Sequence, residues 1–146
     1  MINNNFEKKL KSKEFVFTAE TSPPDSTVRS EITDRVLCLK DLADAINVTD
    51  GASAKSHLSS LVVSSIIKDI EIEPILQLTT RDRNRIAIQS DLLGAWTLNI
   101  QNILCIYGDQ VETGDQPETK EVRDLDTLGV INTACLLYTP PSPRDG

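Results

Sequence analysis

Four short apolar runs recur about 30 residues apart, and this spacing constrains the fold more than any other feature of the chain. They are Phe15 to Thr18, Ala45 to Val48, Pro74 to Leu78 and Ile103 to Tyr107. Between them aliphatic residues return at helical intervals: Val28, Ile32, Val36, Leu39 and Ala43; then Leu58, Val62, Ile66 and Ile70; then Ile86, Leu93 and Ile100. Strand alternating with helix at this interval describes βα units, which require parallel strands joined by right-handed crossovers. The expected class is therefore α/β. With aromatics at 4% of 146 residues, the core must be built from Ile, Leu and Val, as buried parallel strands build it. That length suits a single domain.

Charge and residue counts exclude several kinds of chemistry. Fifteen Lys and Arg against 22 Asp and Glu leave a formal charge of −7, the wrong sign for a nucleic-acid backbone binder. Cys38, Cys105 and Cys135 stand far apart with no C-x-x-C spacing, and His57 is the sole histidine, so neither a zinc site nor a histidine-based triad is expected. Any chemistry falls to carboxylates, amides, hydroxyls or a bound cofactor. No apolar run approaches the roughly 18 residues that span a bilayer, and the polar first 13 residues lack the apolar stretch of a secretion signal, so no membrane partner and a cytoplasmic location are expected.

The strand ends carry more information than the strands. Two polar residues spaced two apart, hence on one face of a strand, close each run: Thr18 and Glu20, Asn47 and Thr49, Gln77 and Thr79, Tyr107 and Asp109. In parallel α/β folds the C-terminal strand edge is where ligands bind. Four pairs in matching phase predict one shared polar mouth.

The last twelve residues differ in character, holding three of the seven prolines and, by expectation, no helical period from Cys135 onward. The string from Cys135 to Asp145 resembles the translation of a transposase sequencing adapter. Residues 1–134 are accordingly taken as the native part, and 135–146 as a tail of foreign origin, with a genuine proline-rich tail as the alternative.

The stretch Gln77-Leu78-Thr79-Thr80-Arg81-Asp82-Arg83-Asn84-Arg85, continuing to Ala95, resembles the third strand and helix of methylenetetrahydrofolate reductases in the form common among bacteria. Thr18-Ala19-Glu20-Thr21-Ser22-Pro23-Pro24, Asn47-Val48-Thr49-Asp50 and Gly108-Asp109 agree with that family in order and spacing, and the resemblance spans roughly Phe15 to Thr127. It implies a (βα)8 TIM barrel of which this chain supplies about the first four units, since such a barrel typically needs about 250 residues. It implies flavin-dependent reduction of 5,10-methylenetetrahydrofolate to 5-methyltetrahydrofolate, with FAD as cofactor or FMN in its place. The folate is the substrate and NAD(P)H or another reductant the electron source.

The same resemblance assigns roles to residues. Reducing the methylene bridge requires the imidazolidine ring to open to an iminium cation, with a proton delivered to the departing nitrogen. Glu20 matches the family's acid, and desolvation in a partly closed mouth would keep it protonated. Asp109 matches an aspartate serving both folate and flavin: it would support the iminium charge or accept hydrogen bonds from the pterin. Gly108 would let a planar ring approach the backbone. Thr49 and Gln77 match flavin-contacting positions. The sequence departs from the family at Gln77, where some members carry histidine, and at Tyr107, where threonine or arginine is usual.

Other features have plainer readings. In the Arg81-Asp82-Arg83-Asn84-Arg85 run, Asp82 or Asn84 is expected to cap a helix and the arginines to pair with acids such as Asp91, ahead of any anion site at the helix N-terminus. His57 is expected to be solvated or to cap a helix, and Trp96 to pack on an outer helix. Alternatives from other classes are a non-catalytic barrel subunit or fragment working by association with a partner or a second copy, and, less well matched by the third-strand motif, a corrinoid- or pterin-dependent methyltransferase barrel.

Overall fold

The computed structural model describes residues 5–138. A short helix α1 (Asn5–Ser12) precedes four βα units: β1 (Thr18–Thr21) and α2 (Arg29–Leu37), β2 (Ala45–Val48) and α3 (Ser60–Asp69), β3 (Pro74–Thr79) and α4 (Arg85–Thr97), β4 (Asn102–Ile106) and α5 (Thr127–Tyr138). All strand pairs are parallel and the spatial order is β1-β2-β3-β4. A doubly wound sheet reverses its strand order partway, so an order that follows the chain throughout belongs to the barrel type of winding.

Register separates the two faces. Ile46, Val48, Leu76 and Leu78 point toward the helices, where three clusters form the core: Ile46 and Val48 with Val36, Val63 and Ile67; Leu76 with Ala95 and Ile100; Leu78 with Ile88, Leu92 and Val130. The opposite face carries Glu20, Asn47, Ile75, Gln77 and Leu104, placed together by the pairings Glu20↔Asn47, Asn47↔Ile75 and Gln77↔Leu104.

Three expectations shift. The first strand begins at Thr18, not Phe15, because β2 begins opposite it at Ala45 and residues before Thr18 have no strand to pair with. Phe15, 86% exposed, and Phe17 instead border a cavity of about 800 Å³ at the N-terminal end of the sheet. The lysines there are already matched, Lys9 with Asp44, Lys40 with Glu71 and Lys68 with Glu73.

The helix faces also move. On α4 the buried residues are Ile88, Leu92 and Ala95, while Ile86 is 75% and Leu93 54% exposed. The two sets lie roughly opposite each other at about 100° per residue, so α4 is apolar on both sides and periodicity alone does not choose between them. On α3, Val63, Ile66 and Ile67 are buried and Val62 is exposed. In α2, Ile32 and Val36 are buried as expected, whereas Val28 precedes the helix and is exposed.

At the far end, α5 continues four residues past Ala134 to Tyr138, so the expected loss of helical pattern at Cys135 is not seen. Cys-Leu-Leu-Tyr contains nothing that breaks a helix, and the sequence reaches its next proline only at Pro140. The expectation for residues 139–146 lies outside the described residues. No helix among the described residues is long and apolar enough to cross a membrane.

Candidate functional site

Each strand delivers one chemical group to the same end of the sheet. Glu20 is the third residue of β1, and its carboxylate Oε2 accepts a hydrogen bond from the Gln77 Nε2 of β3 at 3.3 Å, across the intervening β2. Thr49, just past β2, is buried and donates to the Ser22 hydroxyl at 3.1 Å. These groups, with Asp50, Gly108 and Asp109, line an open cavity of about 380 Å³. The structure thus brings together the five residues to which the family resemblance assigns roles, Glu20, Thr49, Gln77, Gly108 and Asp109. Glu20 remains exposed, because the sheet covers it from one side only.

The matched phase of the four polar pairs holds only in part. Thr18 opens β1 and so sits at the strand's N-terminal end, away from the mouth. Thr79 is fully buried, its hydroxyl donating to the Tyr107 carbonyl at 3.2 Å and accepting from the Arg81 amide at 3.1 Å. Tyr107 faces away from the cavity, its ring stacked 3.8 Å under the Arg123 guanidinium. Asp109 nevertheless reaches the mouth because Gly108 turns the chain at φ +85°. A Cβ at Gly108 would overlap the Thr79 hydroxyl. The glycine is therefore required for β4 to close onto β3, and its contribution to the cavity is backbone.

Around the mouth lies a charged scaffold in which the pairing of Arg83 with Asp91 is as expected and the role of Asp50 is not foreseen from the sequence. Asp50, nearly buried, accepts from the Thr79 amide at 2.9 Å, from the Ser60 hydroxyl at 3.2 Å and from two nitrogens of Arg83 at 2.6 and 3.3 Å. Arg83 also reaches Asp91 at 2.8 Å. Burial pulls the Arg83 pKa down, but Asp50 first and Asp91 second outweigh it, and the pKa is raised. Arg81 is buried; its doubled bond to Asp82 raises its pKa, and it donates to the carbonyls of Gly51 and Asp109. Gly51 adopts φ +58°, and a Cβ there would overlap that guanidinium.

The arginine run is thus consumed by protein acids, as its plainer reading expects. Asn84 caps α4, accepting from the amides of Ile86 and Ala87 at 3.1 and 3.0 Å. Arg85 holds Asp124, whose carboxyl is lowered to about 2, first by the side-chain bond from Arg85 and then by the Arg85 amide. His57 is half-buried and caps no helix: its ring nitrogens lie 3.0 Å from the Pro23 carbonyl and 3.2 Å from that of Ala52, tying the loops after β1 and β2 together. Trp96 sits on the outer surface of α4, about half exposed. The signal for Asp50 in the sequence is its place in the Asn47–Asp50 motif, and for Arg83 its place in the arginine run of the third-strand motif. Ser53, whose amide donates to Asp109 Oδ2 at 2.8 Å, has none.

Chemically, the mouth offers a carboxyl group, a carboxamide, a hydroxyl and a second carboxylate around one concavity, a set that suits the polar edge of a planar heterocycle. The family model for methylenetetrahydrofolate reductase matches residues 5–133. No curated protein matches the chain.

Proposed function

The chain belongs to the methylenetetrahydrofolate reductase family, folate-linked oxidoreductases folded as TIM barrels, and from that membership we propose that it forms one wall of a site reducing 5,10-methylenetetrahydrofolate to 5-methyltetrahydrofolate. The observation that carries this reading is the meeting of Glu20 and Gln77 in a cavity that Thr49 and Asp109 also line. The complete barrel performs the reaction: β1 and β4 end the described sheet with unpaired edges, and the exposed Glu20 needs an opposing wall that excludes water.

In this reading Glu20 gives its proton to the ring nitrogen that departs as the imidazolidine opens. Gln77 donates to Oε2, which leaves Oε1 as the oxygen that carries the proton. The Asp109 carboxylate stabilises the resulting iminium, held in place by the Ser53 amide so that little reorganisation accompanies the charge. Gln77, Thr49 and the backbone at Gly108 would hold a flavin, FAD or FMN. When bound and reduced by NAD(P)H or another donor, that cofactor supplies the hydride. The working location is the cytoplasm.

The test is Glu20→Gln in the complete barrel, followed as two half-reactions. Turnover of methylenetetrahydrofolate is expected to fall roughly 10²- to 10⁴-fold, the usual range for a general acid, while reduction of the flavin by its donor survives. Equal loss in both halves would make Glu20 a structural or flavin-positioning residue. Full activity would remove it from the mechanism.

A further inference from the structure

The loop after β4 returns to lie against its own beginning, and one side chain closes it. Arg123 donates through Nη1 to the carbonyl of Tyr107 at 2.6 Å, and through Nη2 to those of Gly108 and Asp109 at 3.4 and 3.3 Å. Its Nε and Nη2 pair with Glu121, which in turn accepts the Val111 amide at 3.2 Å, and its guanidinium covers the Tyr107 ring. The side chain is 12% exposed. Only a planar fork of five donors satisfies three successive carbonyls and a carboxylate at once; a lysine does not.

Backbone strain marks the same place from two sides. Arg123 itself stands at φ +39°, and in the facing loop Ser53 and Ala54 stand at φ +57° and +53°. Lys13, Asp41, Glu71 and Asn99 hold similar angles in turns elsewhere, so the angles here add to the hydrogen bonds and do not stand without them. What the two strained segments share is Asp109, whose carbonyl Arg123 holds and whose carboxylate the Ser53 amide holds.

We propose that Arg123 is a positioning residue for Asp109: by fixing the carbonyls of residues 107–109 it sets the line along which the Asp109 carboxylate crosses to the Ser53 amide and faces the mouth. The role assigned to Asp109 rests on the folate reading above. The mechanical coupling from Arg123 to Asp109 to Ser53 does not. Glu121 holds the guanidinium in place, and the bond from Arg123 keeps its own carboxyl at about 2, well below the ordinary glutamate value.

The experiment uses the 146-residue chain and follows backbone amides by NMR. Arg123→Gln is expected to speed exchange of the Ser53 amide about tenfold and to move its proton resonance upfield, in the same direction as Asp109→Asn. The Thr79 amide, whose acceptor is Asp50 and not residues 107–109, should keep its exchange rate. The double variant should add nothing to either single change, and Arg123→Lys should recover only part of the effect. Unchanged Ser53 exchange in Arg123→Gln would overturn the proposal; equal acceleration at Ser53 and Thr79 would do so too, since that is general loosening. If Arg123→Gln does not fold, Glu121→Gln frees the guanidinium without deleting it, and selective acceleration at Ser53 is again expected. Its absence counts against the coupling. No folate, flavin or turnover enters this readout, so its failure is distinguishable from failure of the proposed reaction, which Glu20→Gln tests without touching Arg123.

Discussion

Replacing Asp50 by Asn keeps the shape of the side chain and removes half of what it does. Its two oxygens accept four hydrogen bonds, from the Thr79 amide, the Ser60 hydroxyl and both terminal nitrogens of Arg83. An amide retains one oxygen and turns the other into a donor aimed at an Arg83 N–H, since Arg83 approaches both. Ser60 adapts, because its hydroxyl also lies 3.2 Å from the Gln77 carbonyl. Arg83 does not, because it has no acceptor to offer. Breaking a buried ion pair costs about 3–5 kcal/mol. The Arg83 side chain is 19% exposed and keeps Asp91 and the Thr79 carbonyl, which places the loss at the lower end, about 3 kcal/mol.

An unfolding entropy of about 2.1 cal/mol/K per residue gives a 146-residue chain roughly 0.3 kcal/mol/K, so that loss lowers Tm by about 10 °C. Calorimetry or thermal circular dichroism on the purified chain reads it directly. Asp91→Asn is the control: it removes the more exposed partner of the same arginine and should cost about 1 kcal/mol or less. A drop below about 3 °C for Asp50→Asn, or equal drops for the two variants, would show that Asp50 is not the acceptor on which the arginine depends.

Gly108→Ala forces a side chain onto a residue at φ +85° and into the Thr79 hydroxyl, so it should cost about 2 kcal/mol in a urea titration and shift the Ser53 amide resonance. A neutral result on both would mean that the Gly108 turn does not aim Asp109. Acid should loosen residues 109–126. Glu121 and Asp124 fall from ordinary values of 4.5 and 3.8 to about 2, each first through a bond from an arginine. Folded values below unfolded ones contribute stability above about pH 4.5 that is lost as pH falls toward 2. Urea midpoints at pH 5 and pH 3, compared between the parent chain and an Arg85→Gln, Arg123→Gln double variant, should show a smaller drop in the variant; equal drops would refute the assignment.

What was legible in the sequence was what depends on period and local chemistry. The 30-residue recurrence found the four strands, and the motif ends found Glu20, Thr49, Gln77 and Asp109, because a strand's two-residue period and its polar ending are properties of neighbouring residues. The start of β1 was not legible: Phe15 and Phe17 look like strand residues, and only the position of Ala45 in β2 decides where pairing begins. The buried face of α4 was not legible either, because apolar residues occupy both of its sides and the sheet alone chooses Ile88, Leu92 and Ala95. Asp50, Ser53 and Arg123 act on groups 29, 56 and 14 to 16 residues away. Contacts at those separations leave no local pattern.

The distant contacts explain why a one-sided mouth keeps its geometry. β1 and β2 are linked at their ends by Thr49 to Ser22 and by Asn47 to the Ala19 carbonyl. Asp50, just past β2, bonds the Thr79 amide of β3, and the Thr79 and Thr80 hydroxyls bond the Tyr107 carbonyl just past β4. Gln77 reaches Glu20 past β2, and Ser53 reaches Asp109 past β3. Every neighbouring pair of strand ends is therefore joined beyond its ladder bonds. The arginines Arg81, Arg83 and Arg123 stand behind or beside the mouth, and Asp50, at its edge, is turned to Arg83 and the Thr79 amide, which leaves the groups of Glu20, Gln77, Thr49 and Asp109 to face the cavity. The proposed reaction builds positive charge on its substrate and would be best served by acceptors that do not move when the charge forms; a scaffold cross-tied in this way would hold them in advance.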